Sequence, residues 1–496
     1  MDRLETLDPS KRPHIGIVGA GFAGLRCADI LLRYGFRVTI LEGRSRIGGR
    51  IYQESLPNGH LLDMGANWIH GTEDNPIMDL AKETETSTTD EWAEQAFVFD
   101  EGGDLLDPKD AGEYTTMMWE IIKEASEYSR ANQHGSEIDP ERTLWDFFQE
   151  QVPKRISESE KDYEKKRKVV LQMADLWGAF VGSPVHTQSL KFFWLEECIE
   201  GENIFVTSSY RKILESVALP ALEGAKILLN TVVTSIHGKS TAPLTEKRVR
   251  LGIANSDQPL EFDEVVLTTP LGWLKKNLTA FHPRLPERLS QAIQNIGYGC
   301  LEKIYISFPE PFWLNPDEEG RTYTGFCQWL SPNYSSETNP NRWTKEVVEL
   351  ASVKEGGHPT LLFYTHGDES RYVTSSLRSM SREKGTEWLI GFFKPYYSRL
   401  PGFVEGDESC VPAAVVWTDW LGDDLAGNGS YANFQKGLRE GDKDVEVMRL
   451  GVPEEGVWMA GEHTAPFLGL GTSTGAYWSG EGVARRVAGK VLGRDV

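Results

Sequence analysis

The chain has 496 residues, of which 40% are hydrophobic and 25% charged; this is too long for one ordinary domain and enough to bury a large core. Its formal charge of −22 argues against a nucleic-acid partner, which needs a Lys/Arg surface. The charge would concentrate a cationic ligand, although many acidic chains are acidic only for solubility. No apolar run reaches the roughly 18–20 residues of a membrane span, so no membrane is expected.

The start, MDRLETLDPSKRP, has neither a secretory h-region nor a transit pattern. His14–Gly19 is a short apolar run ending in glycine, and is read as a buried strand. Phe22–Tyr34 has helical apolar spacing and Val38–Glu42 is a second strand, so the chain opens with a βαβ unit. Glu73 to Asp90 is polar, and Glu113–Arg130 and Ser157–Val169 read as charged helices. Lys226–Ile236, Arg248–Ala254 and Glu261–Thr268 read as strands, the last two joined by a turn at Asn255–Pro259. Leu301–Phe308 alternates as a strand, and Leu314–Ala351, rich in Pro, Asn and Ser, reads as a loop-rich excursion. Val411–Trp417 and Gly456–Gly461 are strands, and an amphipathic helix closes the chain from Gly480. The last residues, GRDV, are not a peroxisomal tripeptide, and a cytoplasmic protein is the expectation.

Gly19-Ala-Gly21-Phe-Ala-Gly24 is G-x-G-x-x-G between a strand and a helix. Gly19 permits the tight turn, Gly21 lets backbone approach a pyrophosphate, and Gly24 lets helix pack on strand. Glu42 ends the next strand about 20 residues on, where a carboxylate accepts from both ribose hydroxyls. This fingerprint says dinucleotide without separating NAD from FAD. Beyond it, Glu42-Gly-Arg44-Ser-Arg46-Ile-Gly48-Gly49-Arg50 offers a second close backbone approach and places Arg44 and Arg50 to offset phosphate charge.

From Glu42 to Arg50 the sequence resembles the flavin-containing amine oxidases, with Gly43 in place of their usual alanine. Asp63-Met-Gly65-Ala66-Asn67-Trp68-Ile69-His70-Gly71 resembles the segment that runs beside the flavin ring in that family. Thr268-Thr-Pro270-Leu271-Gly-Trp-Leu274-Lys275 and Gly461-Glu462-His463-Thr464 with Gly475–Gly480 match two further motifs. The last block opens a helix whose N-terminus faces the reduced flavin in such a fold. The resemblance implies an α/β plus α+β flavoprotein: a Rossmann-like FAD-binding domain of the glutathione-reductase and amine-oxidase type, interleaved with a substrate-binding domain. Residues 1–75, 226–310 and 411–496 are assigned to the first, and 76–225 and 311–410 to the second. Val232 and Trp420 join the implied cofactor-binding residues. Ser430 stands where some relatives carry covalent flavin on a cysteine, so the FAD is expected to be non-covalent.

Gly299–Phe308 resembles the family strand that carries a lysine near flavin N5. Along an alternating strand Lys303 shares a face with Leu301 and Tyr305, opposite Ile304 and Ile306. By resemblance it holds a water there, supporting flavin reoxidation or imine hydrolysis; the alternative is a pair with a carboxylate at a sheet edge. Tyr431 sits where the family places one wall of an aromatic cage. Thr472 replaces the tyrosine of the opposite wall, a departure that would admit bulkier or longer amines. Trp-Ile-His70-Gly is the form of the polyamine-oxidising members; a neutral imidazole binds a secondary amine without repelling a cation, the alternative being a histidine satisfied by carbonyls. Glu196, Glu197, Glu200 and Asp175 are carboxylates able to attract a distal ammonium, though most read as solvated.

Scattered cysteines without C-x-x-C spacing, and His186, His237 and His366 outside any ligand spacing, predict neither a disulfide framework nor a metal site. The expected reaction is hydride transfer from the α-carbon of a polyamine to FAD, with imine hydrolysis and O2 reduced to H2O2. The rivals are oxidation of another amine or secondary metabolite, and a non-catalytic flavin-bound interaction protein. A histone-demethylase role is disfavoured by the lack of a long coiled-coil insertion or an extra N-terminal module.

Overall fold

The computed structural model describes residues 12–90, 97–133, 137–159, 162–239, 248–317 and 319–493. The readings of the leader before Arg12 and of the last three residues lie outside the described residues. Two sheets organise the rest. The first is five-stranded and parallel, in the order Val457–Met459, Glu264–Leu267, His14–Val18, Arg37–Leu41, Lys226–Leu228. Its middle strand is apolar because both faces are covered, with Ile15 and Ile17 fully buried.

Helices Phe22–Arg33, Arg211–Gly224 and Ser473–Leu492 pack together over one face of this sheet. The last of them approaches the first closely because it carries small residues at the contact. A Cβ on Gly480 would overlap the Ala23 carbonyl. Residues from both ends of the chain thus close one core.

The expected strand Lys226–Ile236 is two strands. The first ends the parallel sheet, Asn230 turns the chain at φ 53°, and Val233–His237 joins a separate four-stranded sheet. Glu261–Thr268 likewise splits at Asp263. Leu260–Phe262 stays in the four-stranded sheet, while Glu264–Leu267 enters the parallel one. Asp263 makes the transfer by accepting from the His14 backbone N–H at 2.7 Å.

The second large sheet has the order Ala414–Trp417, Leu301–Ser307, Thr360–His366, Lys345–Glu349, Phe326–Trp329, Phe97–Phe99. Two of these strands lie inside 314–351, which reads as loop from composition. They are short, they are separated by Pro- and Asn-rich turns, and they are held by neighbours far away in sequence. The sheet also crosses the expected domain boundaries at 310 and 411. Leu301–Ser307 and Ala414–Trp417 pair with each other and with strands assigned to the substrate domain, because backbone donors of a buried strand must find partners wherever the chain supplies them. One face of this sheet packs Ile304, Ile306, Val347 and Phe363 against helix Arg382–Tyr397. The other face carries Leu301, Tyr305 and Tyr364 towards the segment around Met64.

Among the described residues no helix is long and apolar enough to cross a membrane. Replacing Gly480 by alanine tests the helix contact. In an open helix the change gains about 1 kcal/mol, but against Ala23 it is expected to cost about 1–3 kcal/mol. The denaturation midpoint of the purified protein gives the sign.

Candidate active site

The first loop is a backbone cradle. Gly19 adopts φ 108°, a conformation that disfavours any side chain, and Gly24 lies so close to the Gly19 carbonyl that a Cβ would overlap it. Gly21 begins the helix Phe22–Arg33 with no side chain capping it, which leaves the helix N-terminus open to an anion. Gly48 and Gly49 come back against this loop, with Gly48 N donating to Ala20 O at 2.8 Å and Gly48 bridging Gly21. Glu42 is buried, and its two oxygens accept from Ala20 N and Arg44 N, each at 2.8 Å.

The arginines are already partnered. Arg44 pairs with Asp423 at 2.8 Å. Arg50 donates to Ser430 O at 2.6 Å and to Glu462 at 3.0 Å, tying the glycine segment to the C-terminal block. Arg46 holds the Gly49 carbonyl at 2.9 Å and lies over the Tyr52 ring.

A cavity of about 630 Å³ runs from this cradle into the face of the six-stranded sheet. Gly19, Gly21, Glu42, Arg44, Gly49 and Arg50 line it, as do Gly65, Ala66, Asn67, Trp68, Val232, Trp420, Glu462 and Thr472. His70, Lys303 and Tyr431 line the same space. Gly24 does not; it sits behind the loop and serves packing.

The segment Asp63–Gly65 is fixed by its carbonyls. Lys303 Nζ donates to Asp63 O at 3.0 Å and Gly65 O at 2.5 Å, Tyr305 Oη donates to Asp63 O at 2.6 Å, and Trp420 Nε1 donates to Met64 O at 3.2 Å. A Cβ on Gly65 would overlap the Arg50 carbonyl, so only glycine fits there. Lys303 therefore meets carbonyls rather than a carboxylate at a sheet edge, and its strand is internal. Burial pushes its amine well below the usual range, against the pull of Asp63, whose own carboxyl burial pushes up.

His70 Nδ1 lies 3.1 Å from Asn203 Oδ1, and burial lowers its pKa against the pull of that hydrogen bond. Tyr431 is anchored by its hydroxyl on the Phe180 carbonyl at 2.5 Å. Thr472 caps the helix Ser473–Leu492: its hydroxyl accepts from Gly475 N at 2.9 Å and donates to Gly469 O at 2.8 Å. The side chain is thus committed to the helix start. Ser430 accepts from Leu301 N at 3.2 Å.

Of the carboxylates considered for a distal ammonium, Glu196 lines the cavity and accepts from Phe434 N at 3.0 Å. Glu197 is taken by Arg130 and Ser126, and neither Glu200 nor Asp175 lines the cavity. Glu346, Tyr364, Phe326, Trp119, Trp177 and Phe180 also line it. Neither KEVVE in Lys345–Glu349 nor TLLFYTH in Thr360–His366 alternates in polarity, so the first two had no local signal and are placed by strand pairing. No group of metal-ligating side chains forms among the described residues.

A glycine cradle at a bare helix N-terminus, an acidic strand end and a cavity that runs from them define a dinucleotide-binding protein. The chain belongs to the flavin containing amine oxidoreductase family, whose model it matches over residues 22–488. It is 25% identical over 469 residues to probable polyamine oxidase 4 of Arabidopsis thaliana, covering 91% of this chain and 82% of that one. Polyamine oxidase 2 of the same plant is 26% identical over 507 residues, covering 99% and 91%. Lysine-specific histone demethylase 1 homolog 2, also from that plant, is 25% identical over 488 residues, covering 96% of this chain and 58% of its own length. FAD is the cofactor that the family implies, and the residues present fit it: the Gly19–Gly24 cradle and Glu42 suit the ADP half, and Gly65 with Ala66 leaves room beside the ring.

Lys303 is positioned through its neighbour. Lys303 N donates to Thr418 Oγ1 at 2.8 Å, and Thr418 donates in turn to Glu302, which also accepts from Leu421 N at 2.8 Å. Burial pushes the Glu302 carboxyl up to about 7. A carboxyl raised in the folded state contributes stability below its unfolded pKa and loses it as pH rises through the folded one. The stability of Glu302→Gln relative to wild type is therefore expected to grow by about 1–3 kcal/mol between about pH 5 and pH 8. Denaturant unfolding at both pH values checks this; a pH-independent difference would contradict it.

Proposed function

We propose that the chain is a polyamine oxidase with non-covalently bound FAD, acting at a carbon beside a secondary amine. The observation that carries this reading is His70, held at Nδ1 3.1 Å from Asn203 Oδ1 in one cavity with Lys303 and Tyr431. When bound, FAD supplies the acceptor for a hydride from the amine's α-carbon, and O2 takes the electrons on as hydrogen peroxide. With Asn203 Oδ1 accepting from Nδ1, His70 offers the lone pair on Nε2 to a substrate N–H. Tyr431 presents a ring fixed by its hydroxyl, and cationic amines are attracted to such a face. Lys303 donates to two carbonyls and lines the cavity, where its nitrogen would hold a water for imine hydrolysis. The acidic chain favours the approach of a polycation. Ser430, a hydroxyl held by Leu301 N, offers no thiol for a covalent flavin link.

A second reading, oxidation of an amine with a bulky apolar arm, is favoured by one observation. Trp177 stacks on Phe180, Trp119 meets Phe180 edge-on, and Trp119 and Phe180 are exposed, so the cavity mouth is aromatic. Anaerobic mixing of the flavin-loaded protein with spermine, spermidine and their acetylated forms separates the two. Bleaching of the flavin absorbance by at least one of them is expected. If only arylalkyl amines bleach it, the second reading holds; if no amine does, both fail. His70→Leu is expected to lower the rate with the best polyamine by roughly 10–100-fold, the loss of one buried hydrogen bond to substrate.

A further inference from the structure

The six-stranded sheet carries one continuous row of polar side chains across four strands. Lys303 lies opposite Tyr364, Tyr364 opposite Glu346, and Glu346 opposite Gln328. Residues directly opposite one another point to the same face of a sheet. The adjacent row, Ile304, Phe363, Val347 and Cys327, is apolar and packs into the core on the other face. A polar row on one side and a greasy one on the other fixes the direction of each side chain, and Lys303, Tyr364 and Glu346 all line the cavity.

Glu346 is 9% exposed, and among the described residues it has no cationic partner. Its neighbour Lys345 points the other way and is paired with Glu369 in the core. The Tyr364 hydroxyl is engaged by Asn67 at 3.0 Å and Trp68 at 3.3 Å. Among the described residues only Gln328 supports Glu346, donating from Nε2 to Oε2 at 3.2 Å. The other atom of that amide, Gln328 Oε1, is buried with no hydrogen-bond partner. Glu346 thus stands at the cavity wall with a single donor, and the amide behind it is itself short of a donor. Burial of this kind is costly unless a donor arrives.

We propose that Glu346, braced by Gln328, binds a second ammonium group of the substrate and so selects diamines and polyamines over monoamines. This rests on the reading of the cavity as an amine-oxidising site. An ammonium brings a charge and hydrogens for the carboxylate, which a monoamine leaves unmatched. The sheet itself sets the spacing. Two strand separations lie between Lys303 and Glu346, about 10 Å between backbones. The second nitrogen is therefore separated from the reacting carbon by several methylenes, and a short diamine does not reach.

Rapid anaerobic mixing of the flavin-loaded enzyme with octamethylenediamine, octylamine and spermidine tests this. Wild type is expected to be reduced by the diamine with a second-order rate constant at least about 30-fold above that for the monoamine. Glu346→Gln is expected to abolish that preference by slowing the diamine and spermidine, with octylamine within about threefold of wild type. The retained octylamine rate shows that the variant is folded and loaded. Glu346→Asp, which keeps the charge on a shorter arm, is expected to restore part of the preference. Equal rates for diamine and monoamine in wild type, or equal loss of both in Glu346→Gln, overturns this proposal while leaving an amine oxidase. If no amine reduces the wild-type flavin, the underlying reading fails and this one falls with it.

Discussion

A lysine in the middle of a buried sheet is tolerable only if its hydrogens are matched, and the cavity is built around how Lys303 meets that demand. Its amine donates to the carbonyls of Asp63 and Gly65, while Tyr305 and Trp420 hold the carbonyls of Asp63 and Met64. Three side chains from the six-stranded sheet and its edge thus clamp three consecutive backbone groups of a segment that follows the glycine cradle. That clamp joins the two halves of the molecule and sets the shape of the space between them. It also leaves a nitrogen whose charge is disfavoured by burial at the point where the sheet meets the cavity.

The rest of the site depends on the clamp's geometry. With Asp63–Gly65 held, the Gly65 Cα comes against the Arg50 carbonyl, and Arg50 reaches Ser430 and Glu462. Residues near positions 50, 65, 303, 430 and 462 are thereby fixed to one another by the Arg50 and Lys303 side chains, most of whose partners are backbone carbonyls. Within the same sheet the register carries this order outward, from Lys303 through Tyr364 to Glu346. A buried positioning network of this kind suits a site in which the reacting carbon must be held within a few tenths of an ångström of its acceptor.

Much of this was legible in the residues. The βαβ start and its glycines follow from local rules, because a tight turn and a close backbone approach have few solutions. The facing of Lys303 and Tyr305 follows from period-two alternation in a seven-residue strand. What was not legible depends on partners distant in sequence. The strands Phe326–Trp329 and Lys345–Glu349 are four and five residues long and lie among turn formers, so their identity, and with it the role of Glu346, is decided by pairing. Asn230 and Asp263 break apparent single strands because the chain changes sheet there; both are turn formers disfavoured in strands, a local signal outweighed by the apolar runs around them. Thr472 read as a missing cage wall, yet its side chain is a helix cap; the substitution of an aromatic by a capping residue changes two properties at once. The domain boundaries expected at 310 and 411 cut across the six-stranded sheet for the same reason.

Substituting Lys303 by methionine keeps the length and apolar stem while removing every donor, and so isolates the clamp. The most direct measurement is the affinity of flavin-stripped protein for FAD, read from quenching of flavin fluorescence, for wild type and Lys303→Met. The account requires the variant to bind FAD at least about tenfold more weakly, because Asp63 and Gly65 lose their donors and the segment beside the ring is released. Equal affinity, with the variant folded to the same thermal midpoint, would show that the Lys303 contacts do not shape the cavity.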